Sequence, residues 1–137
     1  MNVASIASTL EIKLLIAAVV MGLVHLVVAT VAGSGGHRNT AWLLGPRDDP
    51  RPVTGQAARL SRAYANFEET FPIFAVLVIA TVITGKTGKQ SEFACWLYLI
   101  GRLLYIPLYW MGLPVVRTLA WTASMVGIVW LIVAFFA

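Results

Sequence analysis

Ionisable side chains are nearly excluded from two long windows of the chain. Residues 14–32 carry none except His25, and residues 119–137 carry none at all. Each window is 19 residues long, enough at about 1.5 Å per residue to cross a hydrocarbon core roughly 30 Å thick. Two further apolar stretches are interrupted. Phe71–Ile83 has Thr81 as its polar exception and extends back through a polar lead-in, and residues 93–111 are broken only by Arg102. Between the four stretches stand breakers: "GSGG" at 33–36, "GKTGK" at 85–89 and "GLP" at 112–114. The pattern predicts four membrane-spanning helices, over about 8–33, 54–84, 91–111 and 114–136, in a single domain of residues 1–137. Thr54 and Ser91 are placed to cap the second and third, and Pro114 to open the fourth. The first apolar run is too long, and lacks the basic start, for a cleaved signal peptide.

Composition places the chain in the same class, an all-α integral membrane protein. It is 59% hydrophobic and only 12% charged, with a mean hydropathy of +0.82. The net charge of +4 and pI near 9.6 do not point to nucleic acid, because the basic residues gather beside the spans. Four crossings put both termini and the 85–91 loop on one side. That side offers Lys13, Lys86 and Lys89, against Arg38, Arg47, Arg51, Arg59 and Arg62 on the other. The positive-inside rule makes the long 34–54 loop cytoplasmic. The single Cys95 excludes an internal disulfide, and one thiol with two scattered histidines gives no metal-site spacing. Cys95 reads as a small buried side chain and His25 as a packing residue.

The polar residues inside the spans are not scattered. Arg62, Asn66 and Glu69 are spaced i, i+4, i+7, within an arc of roughly 60°, with Arg59 close to that face and Glu68 pointing elsewhere. Arg102, Tyr105 and Tyr109 on the third helix are spaced i, i+3, i+7, and Arg117 lies in the first turn of the fourth. Because the helices alternate in direction, all of these fall in one leaflet and predict one cytoplasm-facing polar pocket. An intramembrane charge costs at least about 2.5–3.5 kcal/mol on insertion scales. A Glu69–Arg102 ion pair with interfacial tyrosines is the plainer account. It leaves unexplained the surplus of arginines, whose forks hold carboxylates, over one inward carboxylate. Such a pocket suits a small ligand with several carboxylates and an ammonium or amide. Trp96, Trp110 and Trp130 suit interfacial anchoring, whereas Trp121, one turn after Arg117, is placed to line the pocket.

"RAYANFEETFPIF" (62–74) resembles the second-helix signature of the MAPEG superfamily, membrane-associated proteins in eicosanoid and glutathione metabolism: Arg, Asn four on, Glu three further, then an aromatic, proline and Phe. "GRLLYIPLYWMGLPVVR" (101–117) resembles that family's third-helix Arg, Tyr and Tyr with another Arg opening the fourth helix. The resemblance implies a homotrimer of four-helix protomers with sites between subunits open to the cytosol. It implies glutathione as co-substrate, held by Arg62, Asn66, Glu69, Tyr105 and Tyr109 with Arg102 beside them, and a catalytic Arg117 that activates the thiol. The loop "GPRDDPRP" (45–52) resembles the bacterial branch of the family, implying a bacterial inner-membrane protein. Two features depart from the pattern. Tyr109 to Arg117 is one residue longer than in the leukotriene-type members, which would rotate Arg117 relative to a bound thiol. Tyr64 and Ala65 stand where other members place further polar ligands.

The reading that follows is a membrane-bound glutathione-dependent transferase or peroxidase acting on lipophilic electrophiles that partition into lipid. The alternatives are a non-catalytic protein binding an anionic lipid or other small anion, and a small exporter. The exporter is disfavoured because the first helix has no acidic residue between Leu14 and Ala32.

Overall fold

Thr9 splits the first helix in two. Its hydroxyl bonds back to the Ile6 carbonyl at 2.9 Å, and Ser8 does the same to Ser5 at 2.8 Å, local bonds that compete with helix continuation. The result is a short α1 (Val3–Ser8) followed by α2 (Leu10–Ser34), then α3 (Gly55–Ile83), α4 (Lys89–Met111) and α5 (Pro114–Phe136). The computed structural model describes residues 3–34, 45–46 and 52–137. The loop charges Arg38, Arg47, Asp48, Asp49 and Arg51 lie outside the described residues. All regular structure among the described residues is helical, and α2 to α5 are each long and apolar enough to cross a membrane. Their outer surface is an apolar belt of residues such as Leu23, Val31, Val76, Leu119 and Val133, which only a lipid environment accommodates at this extent.

Helices α4 and α5 approach at backbone distance. A Cβ built on Gly101 would stand 2.8 Å from the Ala120 carbonyl oxygen, and one on Gly127 would stand 2.8 Å from the Tyr98 nitrogen. Small residues permit this closeness between membrane helices, where dispersion rather than water drives packing. The main core fills the half of the bundle at the two termini: Leu14, Ala18, Phe74, Val78, Tyr98 and Leu131 are packed together there, with Cys95 fully buried among them. At the opposite end the buried apolar set shrinks to Ala63, Tyr105 and Ala120.

Three hydrogen bonds tie the terminal end together, from Ser91 and Gly88 to Glu11 and from Lys86 to Phe135. Ser91 stands at the third position of α4, not at its cap, because the helix begins at Lys89, two residues earlier than the capping pattern suggests. There its Oγ donates to Glu11 Oε1 at 2.5 Å and accepts the Gly88 amide at 2.8 Å. Glu11 is fully buried, and its carboxylate lies at the positive end of α4. Lys86 Nζ donates to the Phe135 carbonyl at 2.6 Å, taking up a free acceptor at the end of α5. Thr54 precedes α3 in extended backbone without any side-chain bond. Ser91→Ala should cost about 1.5–3 kcal/mol, since it leaves the buried Glu11 carboxyl with only the longer 3.3 Å bond from the Gly88 amide. A thermal unfolding midpoint in detergent equal to wild type would show that Glu11 does not depend on the Ser91 bond.

Candidate functional site

Arg102 is 1% exposed, and a buried guanidinium must be held. Tyr98 and Tyr105, one turn to either side on α4, bracket it with ring centroids 5.6 Å away in both cases, a cation–π arrangement. Tyr98 is itself stacked on Phe74 at 3.9 Å. Nη1 of Arg102 donates to Asn66 Oδ1 at 2.7 Å, and Asn66 Nδ2 donates to Glu69 Oε2 at 3.4 Å. The arginine therefore addresses Glu69 through Asn66, so the simple Glu69–Arg102 hydrogen-bonded pair is not what the chain forms. Nε and Nη2 of Arg102 are buried without any hydrogen-bond partner.

Tyr109 is gripped from three directions. Its hydroxyl accepts from Arg62 Nε at 3.3 Å, Tyr105 meets it edge-on at 5.4 Å, and the Arg117 guanidinium lies 4.3 Å over its ring. Arg117 reaches that position through the turn at Gly112. Gly112 adopts φ +76°, a left-handed conformation open to glycine, and the Leu113 amide closes back on the Leu108 carbonyl at 3.1 Å. This is the helix-ending Schellman geometry. A side chain at 112 would also run into Arg59, whose Nη1 donates to the Trp110 carbonyl at 3.3 Å. Beyond this turn, Arg117 faces the tyrosine.

These residues surround a cavity of about 300 Å³ lined by Asn66, Tyr105, Tyr109, Arg117, Thr118 and Trp121. Of the residues expected at the site, Asn66, Tyr105, Tyr109 and Arg117 form its wall. Arg62, Arg102 and Glu69 are each one hydrogen bond behind that wall, on Tyr109 or Asn66. Trp121 lines the cavity as expected, and its Nε1 is a buried donor with no acceptor. Thr118 and Tyr98 were not legible as site residues. For Tyr98 the signal was available, since it precedes Arg102 by four positions as Tyr105 follows it by three.

The arrangement is a cavity with cationic and phenolic donors on its wall, unpartnered donors beside it, and one carboxylate at its edge. A sequence model of the MAPEG family matches residues 12–137. The chain belongs to the MAPEG family. No curated protein and no solved structure matches it. The family match spans α3, α4 and α5 and so includes every residue of this MAPEG cavity.

His25 lies outside the site. It is buried, its Nε2 bonds the Leu60 carbonyl at 3.2 Å, and Tyr64 meets it edge-on at 5.4 Å, the contacts of a packing residue that joins α2 to α3.

Proposed function

We propose that this MAPEG protein is a membrane-bound, glutathione-dependent transferase or peroxidase acting on lipophilic electrophiles, with Arg117 as the group that favours the thiolate. The observation that carries the reading is the donor set of the cavity. On the cavity wall Trp121 Nε1 is a buried donor without an acceptor beside the cation of Arg117. Behind the wall Arg102 Nε and Nη2 are likewise unpartnered, which is costly unless a ligand answers them. Glutathione suits that set: its carboxylates and amide carbonyls answer the unpartnered donors, and its ammonium answers Glu69. Arg62, Asn66, Glu69, Arg102, Tyr105 and Tyr109 would hold it. When bound, glutathione supplies the thiol. A guanidinium near a thiol favours the anion, and Arg117 is the cation on the cavity wall. The apolar belt brings an electrophile dissolved in lipid to the same protein. Homotrimer assembly, a cytoplasmic opening and residence in a bacterial inner membrane belong to this proposal, on the family's pattern and the lysine–arginine asymmetry.

The test is glutathione affinity in detergent-purified protein by calorimetry. Glu69→Gln keeps the shape and removes the carboxylate, so affinity should fall by about 1.5–3 kcal/mol, or roughly 10- to 150-fold. Glu68→Gln, on another face, should leave affinity within about twofold of wild type. Equal losses would contradict the face assignment, and no binding by the wild type would overturn the reading in favour of another anion.

A further inference from the structure

His25 joins α2 to α3, but only one of its two ring nitrogens is answered. Nε2 meets the Leu60 carbonyl at 3.2 Å, and because a carbonyl can only accept, that nitrogen carries the proton. In the neutral ring Nδ1 is then an acceptor. It is buried without any hydrogen-bond partner, and Tyr64 meets the ring edge-on without bonding it. An unanswered acceptor inside a span is costly, since hydrocarbon offers nothing to bond it.

The same ring lines a groove of about 650 Å³ between α2 and α4, where every other described lining residue is apolar. Val20, Val24, Val28, Leu103 and Leu104 form much of its wall, and each is about half exposed on the surface of the bundle. By helical phase, this face of α2 lies roughly opposite the side formed by Val19, Gly22, Leu23 and Leu26. A neighbouring copy seated on that other side therefore leaves the groove to lipid.

The groove narrows what can answer Nδ1. Water needs about two to four polar partners to settle in a protein, and the wall offers a single one. An anion finds no lysine or arginine among the described lining residues. A phospholipid headgroup stays at the membrane surface, whereas His25 stands nine residues (25 to 34) before the end of α2, about 13 Å along its axis. What remains is a molecule that resides in hydrocarbon and carries one hydrogen-bond donor.

We propose that the α2–α4 groove binds a neutral lipid alcohol, its hydroxyl donating to His25 Nδ1 and its chain lying along Val20, Val24, Leu103 and Leu104. The site lies outside the Arg117 cavity and does not rest on the glutathione reading.

The experiment is photolabelling of the full chain in phosphatidylcholine nanodiscs with hexadecanol that carries a diazirine on its chain, the labelled peptides being identified by mass spectrometry. Saturable labelling within residues 20–28 and 103–107 is expected. Unlabelled hexadecanol should displace it. Hexadecyl methyl ether, with the same chain and no donor, should need at least about tenfold more. His25→Phe keeps an aromatic ring without the acceptor and should weaken labelling at least about tenfold. Val24→Trp fills the groove, leaves the His25–Leu60 bond in place and should abolish labelling. Absence of saturable labelling in the wild type would overturn the proposal. So would equal displacement by the ether, since the groove would then recognise the chain alone, or labelling insensitive to His25→Phe. Displacement by palmitate at lower concentration than by hexadecanol would also overturn it, as the mark of a charged ring. Should His25→Phe not fold, the ether and Val24→Trp arms decide alone.

Discussion

Arg117→Ala should lower glutathione-dependent turnover by about 100-fold or more, the cost of losing one preorganised charge at a reacting centre, while glutathione affinity changes by less than about tenfold. The asymmetry follows from the geometry. Arg117 rests on the face of Tyr109 and lines the cavity, but it is not among the groups bonded through Asn66. Removing it leaves the Arg102–Asn66–Glu69 relay and the Arg62–Tyr109 bond in place. The ultraviolet absorbance of bound thiolate across pH separates the two roles. If Arg117 stabilises the anion, its loss moves the titration to higher pH. If it only grips a carboxylate, affinity falls and the titration stays where it was, which would remove Arg117 from the chemistry. Lysine at 117 should restore only part of the activity, since a point charge lacks the planar fork that lies over the ring.

Gly101→Val should be strongly damaging although it lies outside the cavity. A Cβ at 101 already falls 2.8 Å from one backbone atom of α5 and 2.9 Å from another, and neither can rotate away as a side chain would. The helices must separate, at a cost of at least about 3 kcal/mol, the upper part of the usual overpacking range. Separation also carries Tyr109 on α4 away from Arg117 on α5, so glutathione binding should fall with stability. Gly88→Ala is the matched control: nothing lies within 4 Å of a Cβ there, and its unfolding midpoint should stay near wild type. A Gly101→Val protein with a wild-type midpoint would refute the close approach of α4 and α5.

The four spans were legible because hydrocarbon imposes a length and excludes charge, both of which can be counted along a sequence. The polar cluster was legible because helical phase places i, i+4, i+7 residues on one face without reference to neighbours. What sequence could not give is which polar atom meets which. Arg102 and Glu69 invite pairing as opposite charges, but Asn66 stands between them and takes the Arg102 bond, a result of side-chain reach rather than phase. The break at Thr9 depends on hydroxyls that bond to the preceding turn, which helical propensity alone does not weigh. Glu11 was overlooked for a related reason. It lies at the edge of an apolar run, where acidic residues normally face water, and only the approach of Gly88 and Ser91 at the start of α4 encloses it. The direction in which Arg117 would face was not legible either, because it depends on the left-handed turn at Gly112.

The cross-helix ties and the large core share one rim of the bundle, whereas the cavity rim has a small core and hydrogen bonds of 3.3 Å from Arg59 and Arg62. A bundle clasped at one rim behaves as a pair of tongs: thermal motion pivots about the clasp and appears as splaying at the free tips. The lever is the length of α4, about 35 Å for its 23 residues, so a small tilt at the Glu11–Ser91 joint becomes a wide change of aperture at Arg117. Amide hydrogens near Ser91 and Phe135 should exchange slowly and those near Trp110 and Arg117 quickly, with added ligand slowing the second group alone. Pivoting of this kind would widen the mouth of the cavity first.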